Sequence, residues 1–296
     1  MQHAAVMIHS LAGVADKTNS YRVFLFISDC EPSLVHKAKN SFKRLPNNIR
    51  IEFFPISKEL PSTLLPKRSN VSAAIWNKLL LYQDLPQDVS RVLFIDADVV
   101  LCQNPALLFN TALEGHVIAA VREKLYLLPD LPPTRKDVLG LRSYEQYFNS
   151  GVMLVDVLKW REHQISERSL QFAVEKWGDT PYHDQDAFNA VISGQWKAIS
   201  PLWNPRGLNE IQLSDSAVVV LTNHEIYRLG IQNLVHYSGA EKPWLFTSEH
   251  PANDLYWHWL KRSAFSDYRP PDKTFYTWCS KRLRRAKRLI RDNLRI

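Results

Sequence analysis

The stretch Arg91–Asp98 (RVLFIDAD) joins a strand pattern to two carboxylates, and it is the strongest indication of the fold in the sequence. The run Arg91–Ile95 is nearly all apolar, which is typical of a strand covered on both faces of a sheet. Asp96 and Asp98 follow at its carboxyl end, where open α/β sheets place their ligands. Two neighbouring carboxylates repel each other unless a cation neutralises them. The stretch therefore indicates an α/β protein with a divalent metal site, although a strand that ends in a polar turn would look the same.

Similar apolar runs recur on both sides of this stretch and alternate with helical patterns. The sequence predicts further strands at Arg22–Ser28, Arg50–Ile56, His116–Val121, Gly151–Val155 and Ile231–Val235. It predicts helices at Ala4–Val14, Val71–Gln83, Val157–Trp177 and Asp184–Ile192. Runs that are apolar throughout favour a mainly parallel sheet. Their alternation with helices predicts a layered α/β sandwich.

The net charge of +7 lies at one end of the chain. Residues 281–296 hold eight Lys or Arg and one Asp, which leaves 29 basic and 29 acidic side chains in the other 280 residues. The apolar residues of this tail recur at helical spacing: Leu283, Ala286, Ile290 and Leu294. The pattern predicts a cationic amphipathic helix on an anionic membrane surface. A nucleic-acid-binding protein that stacks bases on Tyr256–Trp259 is the alternative, and the neutral body argues against it.

The cysteines and the hydropathy pattern suggest a compartment. Cys30, Cys102 and Cys279 are scattered, without a CxxC pair. This pattern argues against a disulfide framework and fits a reducing cytoplasm. Residues 1–15 lack the basic start and continuous apolar stretch of a signal peptide. No run approaches the roughly 18 apolar residues of a transmembrane helix. We therefore expect a cytoplasmic protein, attached peripherally to the inner face of the membrane by its tail.

Three further segments place polar residues beside predicted strands or at a helix start. In Tyr147–Asp156 (YFNSGVMLVD) a polar turn feeds a buried strand, and Gly151 lets backbone come close to a ligand. In His183–Asn189 (HDQDAFN) acidic groups gather at a helix start, where they would also serve as caps. In His236–Trp244 (HYSGAEKPW) an imidazole that can bind a metal precedes a glycine and a lysine that can meet a phosphate.

These four segments, in this order, resemble glycosyltransferase family 8, which includes bacterial lipopolysaccharide galactosyl- and glucosyltransferases and the glycogenins. The resemblance runs from about Ala4 to Trp244. It implies a GT-A fold, an α/β/α sandwich that binds a nucleotide-sugar, over residues 1–245. A helical, basic membrane-association region would follow over residues 246–296. The implied activity is a retaining transfer of galactose or glucose from a UDP-sugar to a glycan or lipid-linked saccharide, with Mn²⁺ (or Mg²⁺).

The resemblance also assigns roles to individual residues. Its metal ligands correspond to Asp96, Asp98 and His236. Its donor-binding positions correspond to Lys78, Asn149, Ser150, Gly151, Gly239 and Lys242. Asp184 and Gln185 match the catalytic pair beside the reacting carbon of the sugar. The sequence leaves open whether one of this pair forms a covalent intermediate or the acceptor attacks from the leaving-group face.

Two departures from the family pattern affect the nucleotide site. Ala74 and Trp76 occupy places where the family carries a Tyr and an Arg near the nucleotide. The family's first strand, with its nucleotide-binding turn, is expected to be missing, because only three residues precede the helix that starts at Ala4. A sheet without a central strand exposes two unpaired edges. Our hypothesis is that the true start codon lies upstream; the alternative is a catalytically impaired relative that acts only in binding.

A phosphatase of the haloacid-dehalogenase type also carries Asp-x-Asp after a strand. In that class the motif normally follows the first strand of the domain, whereas at least two predicted strands precede Asp96. The chemistry of such a phosphatase does not call for His236–Trp244 either. The sequence therefore favours the glycosyltransferase, with no nucleic acid among its partners.

Overall fold

The computed structural model describes residues 1–28, 30–56, 59–64, 74–123, 135–176, 178–214, 217–239 and 241–282, with only the backbone of residues 74, 135 and 208. These ranges contain helices α1 (Gln2–Val14), α2 (Pro32–Phe42), α3 (Ala74–Asn77), α4 (Ala106–Phe109), α5 (Arg135–Val138), α6 (Val157–Glu162), α7 (Ile165–Glu175), α8 (His183–Ile192), α9 (Asn223–Leu229) and α10 (Asn253–Leu260). The strands are β1 (Tyr21–Ile27), β2 (Ile49–Pro55), β3 (Arg91–Ile95), β4 (Val99–Leu101), β5 (Ile118–Arg122), β6 (Phe148–Asp156), β7 (Trp196–Ala198), β8 (Leu208–Ser214), β9 (Ala217–Thr222) and β10 (Leu234–His236).

The main sheet is built around β6. This strand pairs antiparallel with β3 on one side and with β5 on the other, and β7 lies parallel to β5. β1 and β2 form a separate parallel pair, β8 and β9 form a hairpin, and β10 pairs antiparallel with β4. The prediction of a mainly parallel sheet is therefore wrong, because the sheet is mixed. The part of β6 from Val152 to Val155 is apolar since both of its faces are covered, with Met153 in one buried cluster with Trp160 and Phe188, and Val152 in another with Leu11.

The predicted strands all form, and the predicted helices form with two corrections. The helices expected at Ala4–Val14 and Asp184–Ile192 are α1 and α8. The helix expected at Val157–Trp177 is instead the pair α6 and α7, because Gln164 takes a left-handed φ of 51°. The described part of the helix expected at Val71–Gln83 is only α3, followed by tight turns. Those turns carry Lys78 into the interior.

The sheet is interrupted between β1 and β3. Within the described ranges no ladder joins these two strands, and each pairs with a neighbour on one side only. Arg22 Nη1 lies 2.7 Å from Asp88 Oδ2, which places the amino ends of the two strands side by side. A cavity of about 1560 Å³ opens between them, and Met7 and Leu11 of α1 line it. These are the two unpaired edges that the absence of a central strand predicts.

Residues after Leu245 pack on the core that α1 helps to form. Tyr256 and Leu260 of α10 share a buried cluster with Ala5 and Ile8 of α1. Residues 275–282 are helical, and the rest of the predicted cationic tail, residues 283–296, lies outside the described residues. Where the chain is described, no helix combines the length and the apolar character that crossing a membrane requires.

The split sheet predicts a pattern of amide hydrogen exchange. Amides of β1 and β3 that face the cavity should exchange at least about tenfold faster than those of β6. This corresponds to a free energy of local opening that is lower by about 1.4 kcal/mol in β1 and β3 than in β6. The physical reason is that β6 is paired on both sides, whereas β1 and β3 each lack one partner. Exchange measured by mass spectrometry with residue resolution tests this. Equal protection of β1, β3 and β6 would contradict the split.

Candidate active site

The turn between β3 and β4 carries Asp96 and Asp98, and backbone hydrogen bonds hold it from two sides. The N–H of Asp96 donates to the carbonyl of Gly151 in β6, at 2.8 Å. The N–H of Tyr237 donates to the carbonyl of Asp98, at 3.0 Å. β10, whose last residue is His236, pairs with β4 directly beside this turn. Sheet pairing thus brings three segments that are distant in sequence to one place.

Asp96, Asp98 and His236 form a group that can hold a metal ion, since one ligand atom from each lies within 4.8 Å of the others. The Nε2 atom of His236 is 3.3 Å from Oδ1 of Asp98 and 3.7 Å from Oδ2 of Asp96. The imidazole is buried, whereas the two carboxylates are partly open to the cavity. Two carboxylates and one imidazole are a donor set that fits a divalent cation.

Lys78 is buried and contacts both the turn between β3 and β4 and the start of α8. Its Nζ atom lies 3.2 Å from Oδ1 of Asp96, 3.1 Å from Oδ2 of Asp184 and 3.1 Å from Oγ of Ser150. Burial alone would lower the pKa of Lys78, but the carboxylates of Asp184 and Asp96 outweigh it and raise that pKa. The side chain is therefore a permanent positive charge inside the protein.

A second ammonium group, that of Lys242, contacts the other carboxylate of the turn. Its Nζ donates to Oδ2 of Asp98 and to the carbonyl of Tyr237, both at 2.7 Å. Burial would raise the pKa of Asp98, but His236 and Lys242 outweigh it, and the pKa falls. The pKa of Asp96 rises instead, because its burial is only partly offset by Lys78 and His236. The carboxyl groups two residues apart thus differ in proton affinity.

Asp184 and Gln185 lie in the first turn of α8 and are held by β6. The hydroxyl of Ser150 donates to Oδ2 of Asp184 at 3.0 Å, and the N–H of Ser150 donates to Oε1 of Gln185 at 3.1 Å. Nε2 of Gln185 donates to the Tyr147 hydroxyl at 3.1 Å. α8 begins at His183 with a left-handed φ of 49°, a conformation uncommon outside glycine that concentrates at functional sites.

The eleven residues that the resemblance assigns all line one cavity, the same cavity that separates β1 from β3. Trp76, which stands where the family carries a residue near the nucleotide, does not line the cavity, because its ring packs in the core with its centroid 5.3 Å from that of His183. Gly239 takes a φ of +83°, which explains a glycine in the loop before Lys242. The side chain of Ala74 lies outside the described residues.

The sequence did not reveal two polar residues of the cavity wall, Glu123 and Arg206, or the fully buried Asn204 behind them. Nε of Arg206 lies 3.1 Å from Oε1 of Glu123, and Nδ2 of Asn149 donates to Oε2 of Glu123 at 2.6 Å. Nδ2 of Asn204 donates to Oδ1 of Asn149 at 2.6 Å. The sequence does hold a signal, since Glu123 directly follows the buried strand β5 and Asn204 opens an Asn-Pro-Arg-Gly turn. Altogether the site can bind a divalent cation, an anionic group beside it and a polyhydroxyl ligand.

Comparison with known proteins gives concordant results. The chain is 24% identical to General stress protein A of Bacillus subtilis (strain 168) over 272 residues, which cover 90% of this chain and 91% of that protein. It is 31% identical to Lipopolysaccharide 1,2-glucosyltransferase of Escherichia coli (strain K12) over 231 residues, which cover 76% of this chain and 65% of that protein.

Two solved structures share the fold. The galactosyltransferase LgtC, in complex with donor and acceptor sugar analogs, superposes with a TM-score of 0.68 at 18% identity and covers 88% of this chain and 92% of that chain. The bifunctional glycosyltransferase WbbM gives a TM-score of 0.68 at 18% identity and covers 88% of this chain and 48% of that chain. The family model described as Glycosyl transferase family 8 matches residues 1–248. The chain therefore belongs to glycosyl transferase family 8 and has the GT-A fold that its sequence predicts.

Proposed function

We propose that the protein is a retaining glycosyltransferase that moves galactose or glucose from a UDP-sugar to a glycan or lipid-linked saccharide. The observation that carries this proposal is the meeting of Asp96, Asp98 and His236 beside Lys242, at the end of a cavity lined by further polar groups. The E. coli relative is named a lipopolysaccharide glucosyltransferase, and the LgtC structure contains donor and acceptor sugar analogs. Both names support a sugar nucleotide and a saccharide as the two substrates.

Asp96, Asp98 and His236 would hold Mn²⁺ or Mg²⁺. A bound divalent cation supplies positive charge that stabilises a diphosphate as it leaves. Lys242 adds a second positive charge on the same side, since its ammonium already contacts Asp98 at 2.7 Å. The positive φ of Gly239 brings the loop backbone to the cavity wall without a side chain in the way.

The sugar would lie against β6 and the start of α8. Asn149, Ser150 and Gln185 offer amide and hydroxyl groups to the cavity. Positive charge develops on the sugar carbon as the leaving group departs, and a carboxylate nearby stabilises it. Asp184 provides that carboxylate, and its ion pair with Lys78 at 3.1 Å fixes its position. Departure of the nucleotide then demands little nucleophilicity from the protein.

The second candidate is a catalytically impaired relative that acts only in binding, and the gap between β1 and β3 favours it. Incubation with Mn²⁺ and a panel of UDP-sugars distinguishes the two. Slow release of UDP from UDP-galactose or UDP-glucose supports the transferase. UDP-sugar binding without release of UDP supports the impaired relative. The absence of both binding and release would contradict the donor site that both candidate functions require.

We also propose that residues 246–296 attach the protein to the cytoplasmic face of an anionic membrane. Phe275 and Tyr276 are about four-fifths exposed, at 81% and 79%, on the helical residues 275–282. The Arg282 guanidinium lies 4.2 Å from the centroid of the Trp278 ring. Aromatic side chains beside basic residues suit the headgroup layer of a membrane. The balanced charge of the other 280 residues argues against a nucleic acid as the partner.

The metal assignment predicts the effect of Asp98→Asn. The change replaces a charged ligand with a neutral one of the same size, so Mn²⁺-dependent UDP-sugar binding should weaken by at least about 100-fold. Mutation of a residue behind a metal ligand already costs about 10–100-fold in metal affinity, and loss of the ligand itself should cost more. The circular dichroism spectrum should stay the same. The matched control is Asp254→Asn on the exposed first turn of α10. Wild-type binding of Asp98→Asn in isothermal titration calorimetry would refute the assignment.

A second prediction concerns Gly151. A Cβ atom there would lie 2.3 Å from Cε1 of His236 and 2.8 Å from Oδ2 of Asp96, so Gly151→Ala should displace both ligands. We expect Mn²⁺ affinity to fall at least about tenfold, with about 1–3 kcal/mol lost from the free energy of unfolding through overpacking.

The control for Gly151→Ala is Gly178→Ala. A Cβ atom at Gly178 meets no atom within 4 Å, but its φ is +97°. The control should therefore lose about 1–2 kcal/mol through backbone strain and keep its Mn²⁺ affinity. Equal Mn²⁺ affinities of Gly151→Ala and Gly178→Ala would show that the site has no steric limit at Gly151.

The membrane proposal predicts that deletion of residues 273–296 releases the protein from anionic liposomes at low salt. Each basic residue near such a surface contributes about 1 kcal/mol, and residues 281–296 carry eight of them. The deletion keeps Asp272, whose carboxylate accepts from the N–H groups of Phe246 and Thr247. Neutral liposomes are the control. Equal sedimentation with and without the tail, or binding to RNA in its place, would contradict the proposal.

A further inference from the structure

The two ring nitrogens of His236 face different partners. Nε2 faces the carboxylates of Asp96 and Asp98, at 3.7 Å and 3.3 Å. Nδ1 lies 3.1 Å from Oδ1 of Asn204. In a neutral imidazole only one nitrogen carries the proton, and only the other has a lone pair to offer a metal. The partner of Nδ1 therefore decides whether His236 can serve as a ligand through Nε2.

The direction of the hydrogen bonds behind Asn204 is fixed from two ends. At one end, Arg206 can only donate, and its Nε lies 3.1 Å from Oε1 of Glu123. The other oxygen of Glu123 accepts from Nδ2 of Asn149, at 2.6 Å. At the second end, the backbone N–H of Gly151 donates to Oδ1 of Asn149, at 2.9 Å. The amide nitrogen of Asn149 must therefore point to Glu123 and its oxygen to Gly151.

This orientation of Asn149 determines that of Asn204. Oδ1 of Asn149 also lies 2.6 Å from Nδ2 of Asn204, and an amide oxygen needs a donor opposite it. The amide nitrogen of Asn204 thus faces Asn149, and its oxygen faces His236. Because that oxygen can only accept, Nδ1 of His236 must carry the proton. In the neutral ring Nε2 then keeps the lone pair that a cation held by the two carboxylates would need.

We propose that Asn204 is a positioning residue that fixes the tautomer of His236, and that Asn149, Glu123 and Arg206 fix Asn204 in turn. Asn204 is fully buried (0% exposed), and His236, Asn149 and Glu123 are 6%, 4% and 5% exposed, so water does not compete for these hydrogen bonds. The functional consequence rests on the proposed metal site, whereas the tautomer itself does not. The relay also joins the metal side of the cavity to Asn149 on the sugar side.

The tautomer is measured directly by two-bond ¹H–¹⁵N correlation spectra of metal-free protein labelled with ¹⁵N-histidine, recorded over a pH series so that the neutral ring is distinguished from the doubly protonated one. Comparison with His236→Gln identifies the signals of His236. We expect the Nδ1–H tautomer in the wild type. Asn204→Leu keeps the approximate size but removes the acceptor, so the Nδ1–H preference should be lost. Asn204→Asp keeps an acceptor toward Nδ1 while it loses the donor to Asn149, so the Nδ1–H form should be retained.

Metal affinity provides the second readout. Partners behind a metal ligand commonly contribute about 10–100-fold to metal affinity. Binding of Mn²⁺ alone, followed by electron paramagnetic resonance, should weaken by that factor in Asn204→Leu and stay close to wild type in Asn204→Asp. The control is Asn48→Leu, which removes hydrogen bonds to the carbonyls of Asp16 and Asn19; Asn48 does not line the cavity, and neither carbonyl belongs to the proposed metal site. Its Mn²⁺ affinity should not change.

An Nε2–H tautomer of His236 in the wild type would overturn the proposal, whether or not any variant folds. Unchanged tautomer and unchanged Mn²⁺ affinity in Asn204→Leu would overturn it as well. Failure of the proposed metal site has a different signature. In that case Asp98→Asn would bind Mn²⁺ as the wild type does, while His236 would still show the Nδ1–H tautomer.

Discussion

Three carboxylates lie close together at one end of the interior, and the protein can hold them there because positive charge lies between them. Buried charges are costly unless they are paired. Lys78 bridges Asp96 and Asp184, and Lys242 contacts Asp98. Removing the ammonium of Lys78 would leave the buried carboxylate of Asp184 without that positive charge beside it. This constraint explains why the turn after β3, the start of α8 and the loop after β10 converge on one point, although they lie far apart in the sequence.

The two sides of the cavity differ in how their strands are paired. The turn that carries Asp96 and Asp98 is hydrogen-bonded to Gly151 of β6 and to Tyr237 directly after β10, so this side of the cavity does not depend on β1. The other side opens between β1 and β3, where each strand has one unpaired edge. The side of the cavity proposed to bind the metal and the sugar is therefore held by paired strands, whereas the side proposed to bind the nucleotide is open between two strand edges. The difference between the two sides lies in the pairing of their strands and not in the size of the cavity.

The sequence predicts the parts of this protein that depend on local pattern. The apolar run Arg91–Ile95 and the carboxylates after it are visible in the sequence, although β3 is only half-buried and lines the cavity. The same run cannot reveal strand direction, because an apolar strand can pair in either direction, and β3 pairs antiparallel with β6. The break at Gln164 escaped prediction since neither glycine nor proline marks it. Asn204 escaped because its role depends on Asn149 and His236, which only the fold brings to it.

Asp96, Asp98 and His236 form the proposed metal site of this family 8 glycosyltransferase. A direct test uses crystals grown with MnCl₂ and UDP, with diffraction recorded at the manganese absorption edge. An anomalous peak should lie about 2 Å from a carboxylate oxygen of each aspartate and from Nε2 of His236. A peak at any other place in the cavity, or no peak with UDP bound, would contradict the claim.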